Sequence, residues 1–431
     1  MTGTQSLIAR ISLSVLIGGI SIVVCSLSRL YTLPRQSFDR MVNAAFIFSR
    51  FALYLLIFFT LRIALRGDVP GYYWPEANSA LAHLVPYRDF YTPYAPLHPY
   101  MDGIVISIWH SPLAIVLFAI CVETLLLPLW LRVGRIFLTE QEMRLGALLY
   151  LTSAISVQFV TVNGQNNIII AVLLVFALLL AYRNRAFASG AAVGLGVVAV
   201  KFLPLLYFPG FLAVVPRRWR WLAGACLIIA VVYGVIGLFA HRTVLAPLIS
   251  ESSLRSADDL PFLLEGITGL TLPSLVWNML VLGACGSIFL LIFVKSQSVG
   301  LEFRLRMLTF GFAAFTIALL LFSKKSWPPY LVLSLFPICL LFRSKLSIAA
   351  LALFGVVTVI SHSYWETELK EINASAFHQR LLSHDPSCLL FLFIELVLLG
   401  YYGWILQASV LQIHRTQQLE DGLRCSLKTT T

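Results

Sequence analysis

Apolar stretches long enough to cross a membrane recur along the whole of this sequence. The hydrocarbon core of a bilayer is about 30 Å thick, so a spanning helix needs about 20 apolar residues. Stretches of this kind occupy residues 8–30, 43–65, 104–131, 145–162, 167–182, 186–215, 221–240, 271–294, 307–322, 329–342, 346–362 and 387–406. Because Pro204 and Pro209 interrupt the 186–215 stretch, it is either one broken span or two short ones. The sequence therefore predicts an all-α integral membrane protein, a polytopic bundle of about 11–13 transmembrane helices.

The composition excludes other broad classes. Of the 431 residues, 59% are hydrophobic and 12% are charged, whereas a soluble domain carries about 25% charged residues. So few charges cannot cover a soluble globule, and so many apolar side chains exclude a disordered chain. The net charge of +11 is the excess expected when Lys and Arg collect in cytoplasmic loops. We therefore expect the lipid bilayer as a partner and no nucleic acid.

The basic linkers predict which loops share one side of the membrane. Short linkers rich in Lys and Arg lie at 183–185, 217–220, 295–306 and 343–345. Placing these linkers in the cytoplasm puts five segments together on the far side: 66–103, 163–166, 241–270, 323–328 and 363–386. These far-side segments hold nearly all the polar side chains that could perform chemistry.

The first far-side segment begins with Asp68, just after an apolar stretch. A carboxylate at this depth suits a general base that acts on a lipid-linked substrate, and pairing with Arg66 is the structural alternative. The tyrosines Tyr72, Tyr87 and Tyr94 form either an interfacial belt or a stacking wall for a sugar ring. Arg88 and Asp89 form either a solvated pair or an anion clamp.

Three further features bear on substrate binding. Residues 163–167 read Asn-Gly-Gln-Asn-Asn, more amides than a turn needs, and the amides of Gln165 and Asn166 suit sugar hydroxyls or phosphate oxygens. Lys201 lies inside an apolar stretch, where a charge costs about 2.5–3.5 kcal/mol and is retained for function or reaches the interface by its long side chain. Lys324 and Lys325, followed by Trp327, place two cations on the side that should be poor in them, which suggests phosphate binding.

Metal and cofactor motifs are missing from the sequence. The 8 histidines show no metal-ligand spacing, and the sequence has no Walker motif, dinucleotide fingerprint or nucleophile elbow. The 7 cysteines are scattered and form no disulfide framework. We therefore expect no metal and no cofactor.

The order of these motifs resembles a known family. An early spanning segment ends in Asp68, followed by a Tyr-rich stretch, by Pro86-Tyr87-Arg88-Asp89-Phe90 and by Tyr94-Ala95-Pro96-Leu97. Gln165 then opens an apolar helix, and Gly194, Gly196, Lys201 and Pro204 follow. Over residues 66–210 this pattern resembles the polytopic glycosyltransferases of the C superfamily (GT-C fold), and most closely the mannosyltransferase-like glycosyltransferase family 87.

The resemblance implies an activity and a set of roles. The protein would move a hexosyl group, with mannosyl expected, from a polyprenyl-phosphate-linked sugar to an extracytoplasmic hydroxyl of a glycan, glycolipid or other acceptor, with inversion and without metal. Asp68 would be the general base, within an extracytoplasmic catalytic loop. The implied substrate-binding residues are Tyr72, Tyr87, Arg88, Asp89, Tyr94, Gln165, Asn166, Lys201, Lys324, Lys325 and Trp327. Among them, Tyr87, Arg88 and Asp89 would line the acceptor side, whereas Gln165, Asn166 and Lys201 would face the donor.

The resemblance also implies an organisation and a location. Residues 1–42 would form an additional membrane segment, 43–215 the GT-C-like catalytic module, 216–406 a transmembrane module that completes the cavity, and 407–431 a cytoplasmic tail. The protein would reside in a bacterial cytoplasmic membrane and serve glycolipid or cell-envelope biosynthesis.

Two other classes of function stay open at this stage. A secondary transporter or lipid flippase explains the span count and Lys201, but transport sites lie near the membrane midplane, whereas these polar residues gather at one rim. A noncatalytic assembly factor predicts no deep cavity and tolerates the loss of Asp68.

Overall fold

The computed structural model describes residues 3–247 and 256–429, which form helices and turns and no β-strand. The α-helices, in chain order, are α1 Gly3–Ser26, α2 Ser28–Thr32, α3 Arg35–Leu55, α4 Trp74–Leu81, α5 His98–Ile108, α6 Pro112–Gly134, α7 Glu140–Leu151, α8 Ala154–Ser156, α9 Asn167–Tyr182, α10 Ala186–Ala199, α11 Phe208–Val214, α12 Arg218–Ala240, α13 Leu260–Thr268, α14 Ser274–Ser296, α15 Leu301–Phe322, α16 Leu335–Cys339, α17 Lys345–Thr367, α18 Ala374–Leu382 and α19 Pro386–Thr429. Short π-helical turns occupy Leu56–Thr60, Val69–Tyr73 and Val157–Val162, and 3₁₀ turns occupy Leu203–Tyr207, His241–Leu245 and Pro328–Ser334.

The architecture confirms the predicted class, an all-α multi-pass membrane protein. Within the described residues, 8 helices are long and apolar enough to cross a membrane, or up to 9 if the bent pair Glu140–Leu151 and Ala154–Val162 is one span. Three of the predicted stretches, 167–182, 186–215 and 329–342, form four shorter apolar helices, Asn167–Tyr182, Ala186–Ala199, Leu203–Val214 and Pro328–Cys339. The predicted count of 11–13 therefore includes helices that fall short of a full span, because hydropathy does not show where proline and glycine end a helix.

The 186–215 stretch forms two short helical segments, and not one broken span. Helix α10 ends at Ala199, and a turn at 200–202 leads into Leu203–Tyr207 and then α11. At 1.5 Å per residue, the 14 residues of α10 extend about 21 Å, less than the hydrocarbon thickness. The turn carries Lys201 at its tip, away from the basic linkers at either end of the hairpin.

A buried ion pair crosses the bundle between α3 and α6. Arg50 Nε donates to Glu123 Oε2 at 3.2 Å, and both side chains are inaccessible to solvent. Ser156 and Tyr150 complete the pair, since Ser156 accepts from Arg50 at 2.8 Å and Tyr150 donates to Glu123 at 2.9 Å. Breaking a buried pair on one side leaves an uncompensated charge, so these contacts fix the packing of α3, α6 and the bent α7–α8 segment.

The two ends of the bundle differ in chemistry. At one end Arg135 contacts Asp39 at 2.6 Å, Arg306 donates to the Phe137 carbonyl at 3.1 Å, and Arg343 pairs with Glu142. The other end brings together residues from all five segments that the basic linkers predict to share one side, around a single cavity. The structure contains no membrane, so it fixes which loops share an end, and the assignment of that end to the extracytoplasmic side remains a prediction.

Candidate functional site

The cavity at this end has a volume of about 660 Å³, within the range typical of small-molecule sites. Its lining combines one carboxylate near two lysines, several aromatic rings and an apolar wall. The lining residues are Gly67, Asp68, Tyr72, Pro93, Tyr94, Asn163, Gln165, Lys201, Phe202, Leu203, Leu206, Pro247, Leu319, Lys325, Trp327, Pro329, Tyr330, His362, Trp365, Glu366 and Glu371.

Asp68 stands at the start of the π-helical turn Val69–Tyr73, where the chain re-enters helical structure after an irregular stretch. Its Oδ2 accepts a hydrogen bond from Gln165 Nε2 at 3.1 Å and another from Tyr73 Oη at 3.3 Å. Lys201 Nζ lies 3.9 Å from the same oxygen. The Asp68 side chain is 27% exposed. Its carboxylate therefore faces the cavity while Lys201 lies beside it.

The amide-rich turn 163–167 places Gln165 against Asp68. Gly164 and Gln165 donate backbone hydrogen bonds to the carbonyls of Val160 and Phe159 at 3.0 and 2.8 Å, which fold the turn back on its helix. Gly164 has φ +63°, a left-handed conformation that glycine adopts without strain. The side chain of Gln165 is therefore aimed by the backbone of its own turn.

We expect Gly164→Ala to destabilise the protein by more than about 1 kcal/mol. A Cβ at this position would strain the left-handed backbone and stand 2.9 Å from Val116 Cγ2 and 3.0 Å from Val69 Cγ2. The measurement is the thermal midpoint of the protein in detergent. Gly71→Ala is the matched control, because a Cβ there meets nothing within 4 Å, and an equal loss in both variants would contradict the steric explanation.

Lys201 is positioned by a backbone connection to the first far-side segment. Ala95 and Leu97 donate to the carbonyls of Val200 and Val198, each at 3.0 Å. The Lys201 ammonium lies 4.5 Å from the centre of the Tyr94 ring and 5.6 Å from that of Tyr330, close enough for cation–π attraction. The hairpin thus holds a cation beside Asp68, surrounded by aromatic rings.

Lys325 is the second cation of the cavity, and burial lowers its pKa to about 8. Trp327 and Trp365 follow along the wall, with ring centroids 5.3 Å apart. Beyond them His362 Nε2 lies 3.2 Å from Glu366 Oε1, and Arg10 bonds the other oxygen of that carboxylate at 3.1 Å. The cavity therefore has two cations close to Asp68 and an aromatic, partly acidic region on α17.

A buried polar network supports the site from behind Tyr73 and Tyr94. The His98 ring packs 4.7 Å from Tyr73 and 4.6 Å from Tyr94, and its Nε2 contacts both the Asn166 amide and Asp102, the latter at 3.3 Å. Thr92 donates to Glu76 at 2.8 Å. Burial lowers the pKa of His98 to about 3 and raises the pKa of Asp102 well above its usual range, so burial favours the uncharged form of both groups.

Glu76 makes the stability of this network depend on pH. Burial raises the pKa of Glu76 to about 8, so between the unfolded pKa, about 4.3, and pH 8 the folded state holds a proton that the unfolded state has released. The contribution of this group to the free energy of unfolding is complete below the unfolded pKa and falls as pH rises towards 8. In Glu76→Gln, we expect the fall in the free energy of unfolding with rising pH to be smaller than in wild type by more than about 1.4 kcal/mol, the equivalent of one pKa unit.

The measurement for Glu76 is the thermal midpoint of wild type and variant from pH 5 to 8.5. Glu368→Gln is the control, because the Glu368 side chain is exposed at the same end and its replacement should leave the slope unchanged. An identical slope in wild type and Glu76→Gln would contradict the assignment of the decline to Glu76.

The structure brings seven of the predicted site residues together at this cavity. These residues are Asp68, Tyr72, Tyr94, Gln165, Lys201, Lys325 and Trp327. Asn166 lies just behind the wall: it is buried, contacts His98 and does not reach the cavity lining.

Four predicted residues lie elsewhere. Tyr87 is turned inward and donates to the Tyr94 carbonyl at 2.5 Å. Arg88 and Asp89 bond each other at 2.8 Å on the exposed surface, so none of these three residues lines the cavity of Asp68. Lys324 extends away from the cavity and donates to Ser274 at 2.7 Å; adjacent residues in this extended stretch point in different directions, so only Lys325 faces Asp68.

Sequence reasoning missed several residues of the cavity. His362 and Glu366 lie four residues apart on one face of α17, a spacing that places both side chains together. Sequence reasoning did not select them because they lie in and just after a stretch that was assigned to an apolar span. Nothing in the sequence around Tyr330 and Trp365 indicated a binding site, apart from their aromatic side chains. His98 and Asp102 share the same four-residue spacing, which could have indicated a buried pair.

The chain was compared with protein-family models and with curated proteins. No protein-family model matches the chain, and no curated protein matches it. Among residues 3–247 and 256–429, no group of three or more His, Cys, Asp or Glu side chains is arranged to hold a metal ion.

Proposed function

We propose that this protein is a membrane glycosyltransferase. It moves a hexosyl group, with mannosyl expected, from a polyprenyl-phosphate-linked sugar to an acceptor hydroxyl, with inversion at the anomeric carbon. The observation that carries the proposal is the convergence of Asp68, Gln165 and Lys201 on one cavity from three separate segments of the chain.

The geometry supplies the parts that this reaction needs. Asp68 takes the proton of the acceptor hydroxyl as that oxygen attacks the anomeric carbon. The bond from this carbon to the phosphate oxygen breaks, and its electron pair leaves with the lipid phosphate. The leaving group thereby gains negative charge, which Lys201 and Lys325 offset. Gln165 and Tyr73 donate to Asp68 and hold its carboxylate in place.

The walls of the cavity suggest where each substrate binds. Phe202, Leu203 and Leu206 follow Lys201 directly and form an apolar wall, so the donor phosphate and the first isoprenyl units belong on this side. Trp327, Trp365 and Glu371 lie on other elements, where an aromatic face and a carboxylate suit a neutral sugar and disfavour a phosphate. The acceptor therefore binds beside Trp327, Trp365 and Glu371, and not beside residues 87–89 as the sequence had suggested.

The remaining parts of the proposal follow from the resemblance and from the positive-inside rule. The reaction proceeds without metal, and the cavity opens on the extracytoplasmic face of a bacterial cytoplasmic membrane. The acceptor is a hydroxyl of a glycan, a glycolipid or another extracytoplasmic molecule.

The experiment that tests the proposal presents purified protein with a panel of polyprenyl-phosphate sugars. We expect consumption of one donor and release of polyprenyl phosphate, both unaffected by a metal chelator. Transport of intact donor across vesicles without its consumption is the result expected of a flippase, and it would overturn the proposal.

A further inference from the structure

A second large concavity lies at the opposite end of the protein. It has a volume of about 590 Å³ and is lined by Val215, Pro216, Arg217, Arg218, Trp219, Arg220 and Arg304. Arg304 lies in the first turns of α15, whereas Leu319 of the same helix lines the cavity of Asp68. Fifteen helical residues separate the two sites by about 22 Å, so the basic concavity is no part of the proposed catalytic site.

The arginines of this concavity differ from four other arginines at their end of the bundle. Neighbouring guanidinium groups are paired with carboxylates: Arg135 with Asp39, Arg144 with Glu140, and both Arg306 and Arg343 with Glu142. Within the described residues, no carboxylate pairs with any of the four arginines that line the concavity. Arg218 packs its guanidinium 5.0 Å from the centre of the Phe293 ring, and Arg304 donates to the Val299 carbonyl at 2.8 Å.

Three of these cations lie at the N-terminus of α12, where positive charges are unfavourable unless an anion is bound. Arg217 precedes α12, and Arg218 and Arg220 occupy its first turn, which contains no acidic residue. Positive charges at a helix N-terminus repel the positive end of the helix dipole. Four cations from two helices around one concavity therefore create a strongly positive site that a bound anion would stabilise.

The depth of the concavity identifies the source of that anion. Helix α12 is a candidate membrane span that begins at Arg218, so its first turn lies at the level of the lipid headgroups. Trp219 is 83% exposed, as is typical of an aromatic side chain anchored at the membrane interface. At this level the abundant anions are the phosphates of phospholipid headgroups.

We propose that the concavity formed by Arg217, Arg218, Arg220 and Arg304 binds the headgroup phosphate of an anionic phospholipid. The general preference of arginine for the cytoplasmic side explains which end these residues occupy. It does not explain why four arginines from two helices converge on one concavity, whereas exposed arginines such as Arg35 and Arg40 lie outside it.

The test measures retention of phosphatidylglycerol against phosphatidylcholine by native mass spectrometry of the full-length protein. The variant Arg217→Gln/Arg220→Gln removes two exposed charges that make no side-chain hydrogen bond in the described structure. Each cation that contacts the bound phosphate is expected to contribute about fivefold in affinity, so we expect phosphatidylglycerol binding to weaken about 25-fold. Arg304→Gln, on the second helix, should weaken it about fivefold.

The control is Arg35→Gln/Arg40→Gln, which removes two exposed charges from the start of α3 at the same end of the bundle. It should leave phosphatidylglycerol binding within twofold of wild type. An equal loss in both double variants would assign the effect to general surface charge and overturn the site. Unchanged binding in Arg217→Gln/Arg220→Gln, or displacement of the lipid by inorganic phosphate at equal concentration, would overturn it as well.

Discussion

We expect replacement of Asp68 by asparagine to lower kcat/KM for sugar transfer by about 10²–10⁴, the range typical of the removal of a general base. The substituted amide would keep much of the shape and polarity of the site but cannot accept the acceptor proton at neutral pH. Asp68→Ala should fall at least as far, because it also removes the oxygen that Gln165 and Tyr73 bond. The measurement is initial-rate kinetics with the donor identified in the panel experiment.

The matched control for Asp68 is Glu368→Gln, which removes a carboxylate from an exposed position at the same end of the protein. Its rate should stay within twofold of wild type. Each variant must first show an unchanged elution profile and thermal midpoint in detergent. Near-normal transfer by folded Asp68→Asn and Asp68→Ala protein would falsify the base assignment.

We expect Lys201→Met to lower kcat by about 10², comparable to the loss of one preorganised group that stabilises transition-state charge. The phosphate carries one negative charge in the donor and gains a second as it leaves, so the Lys201 ammonium stabilises the transition state more than the bound donor. We therefore expect donor affinity to fall less than kcat. The two quantities are separated by single-turnover rates and by competition with polyprenyl phosphate.

Lys345→Met is the control for Lys201, since Lys345 is exposed at the opposite end of the bundle. It should leave both kcat and donor affinity unchanged. An equal fall in kcat and donor affinity in Lys201→Met would show that Lys201 binds the donor uniformly and does not stabilise the leaving group.

The sequence was sufficient to predict the fold class and much of the cavity. Hydropathy located all 8 long apolar helices within the described residues, because the bilayer imposes the same length requirement on each span. The positive-inside rule then grouped loops that are far apart along the chain, and the structure places them at one end. Asp68 and Gln165 could therefore be expected to meet, whereas Lys201, inside an apolar stretch, was placed with them by the resemblance alone.

Side-chain direction was the part that the sequence could not supply. Tyr87 has φ +68°, a backbone conformation that turns its ring into the protein and leaves Arg88 and Asp89 outside. Lys324 and Lys325 are adjacent and chemically identical, yet only one faces Asp68. His362 and Glu366 were not predicted because an ion pair inside an apolar helix leaves the hydropathy of the span almost unchanged.

Anomeric configuration tests the central claim most directly, because a single base on one side of the donor sugar dictates a direct displacement. The measurement is the one-bond carbon–hydrogen coupling of the transferred sugar, made with a donor of defined configuration and ¹³C at the anomeric carbon. We expect a product of the opposite anomeric configuration, formed in wild type and lost in Asp68→Asn. A product that retains the configuration of the donor would contradict it.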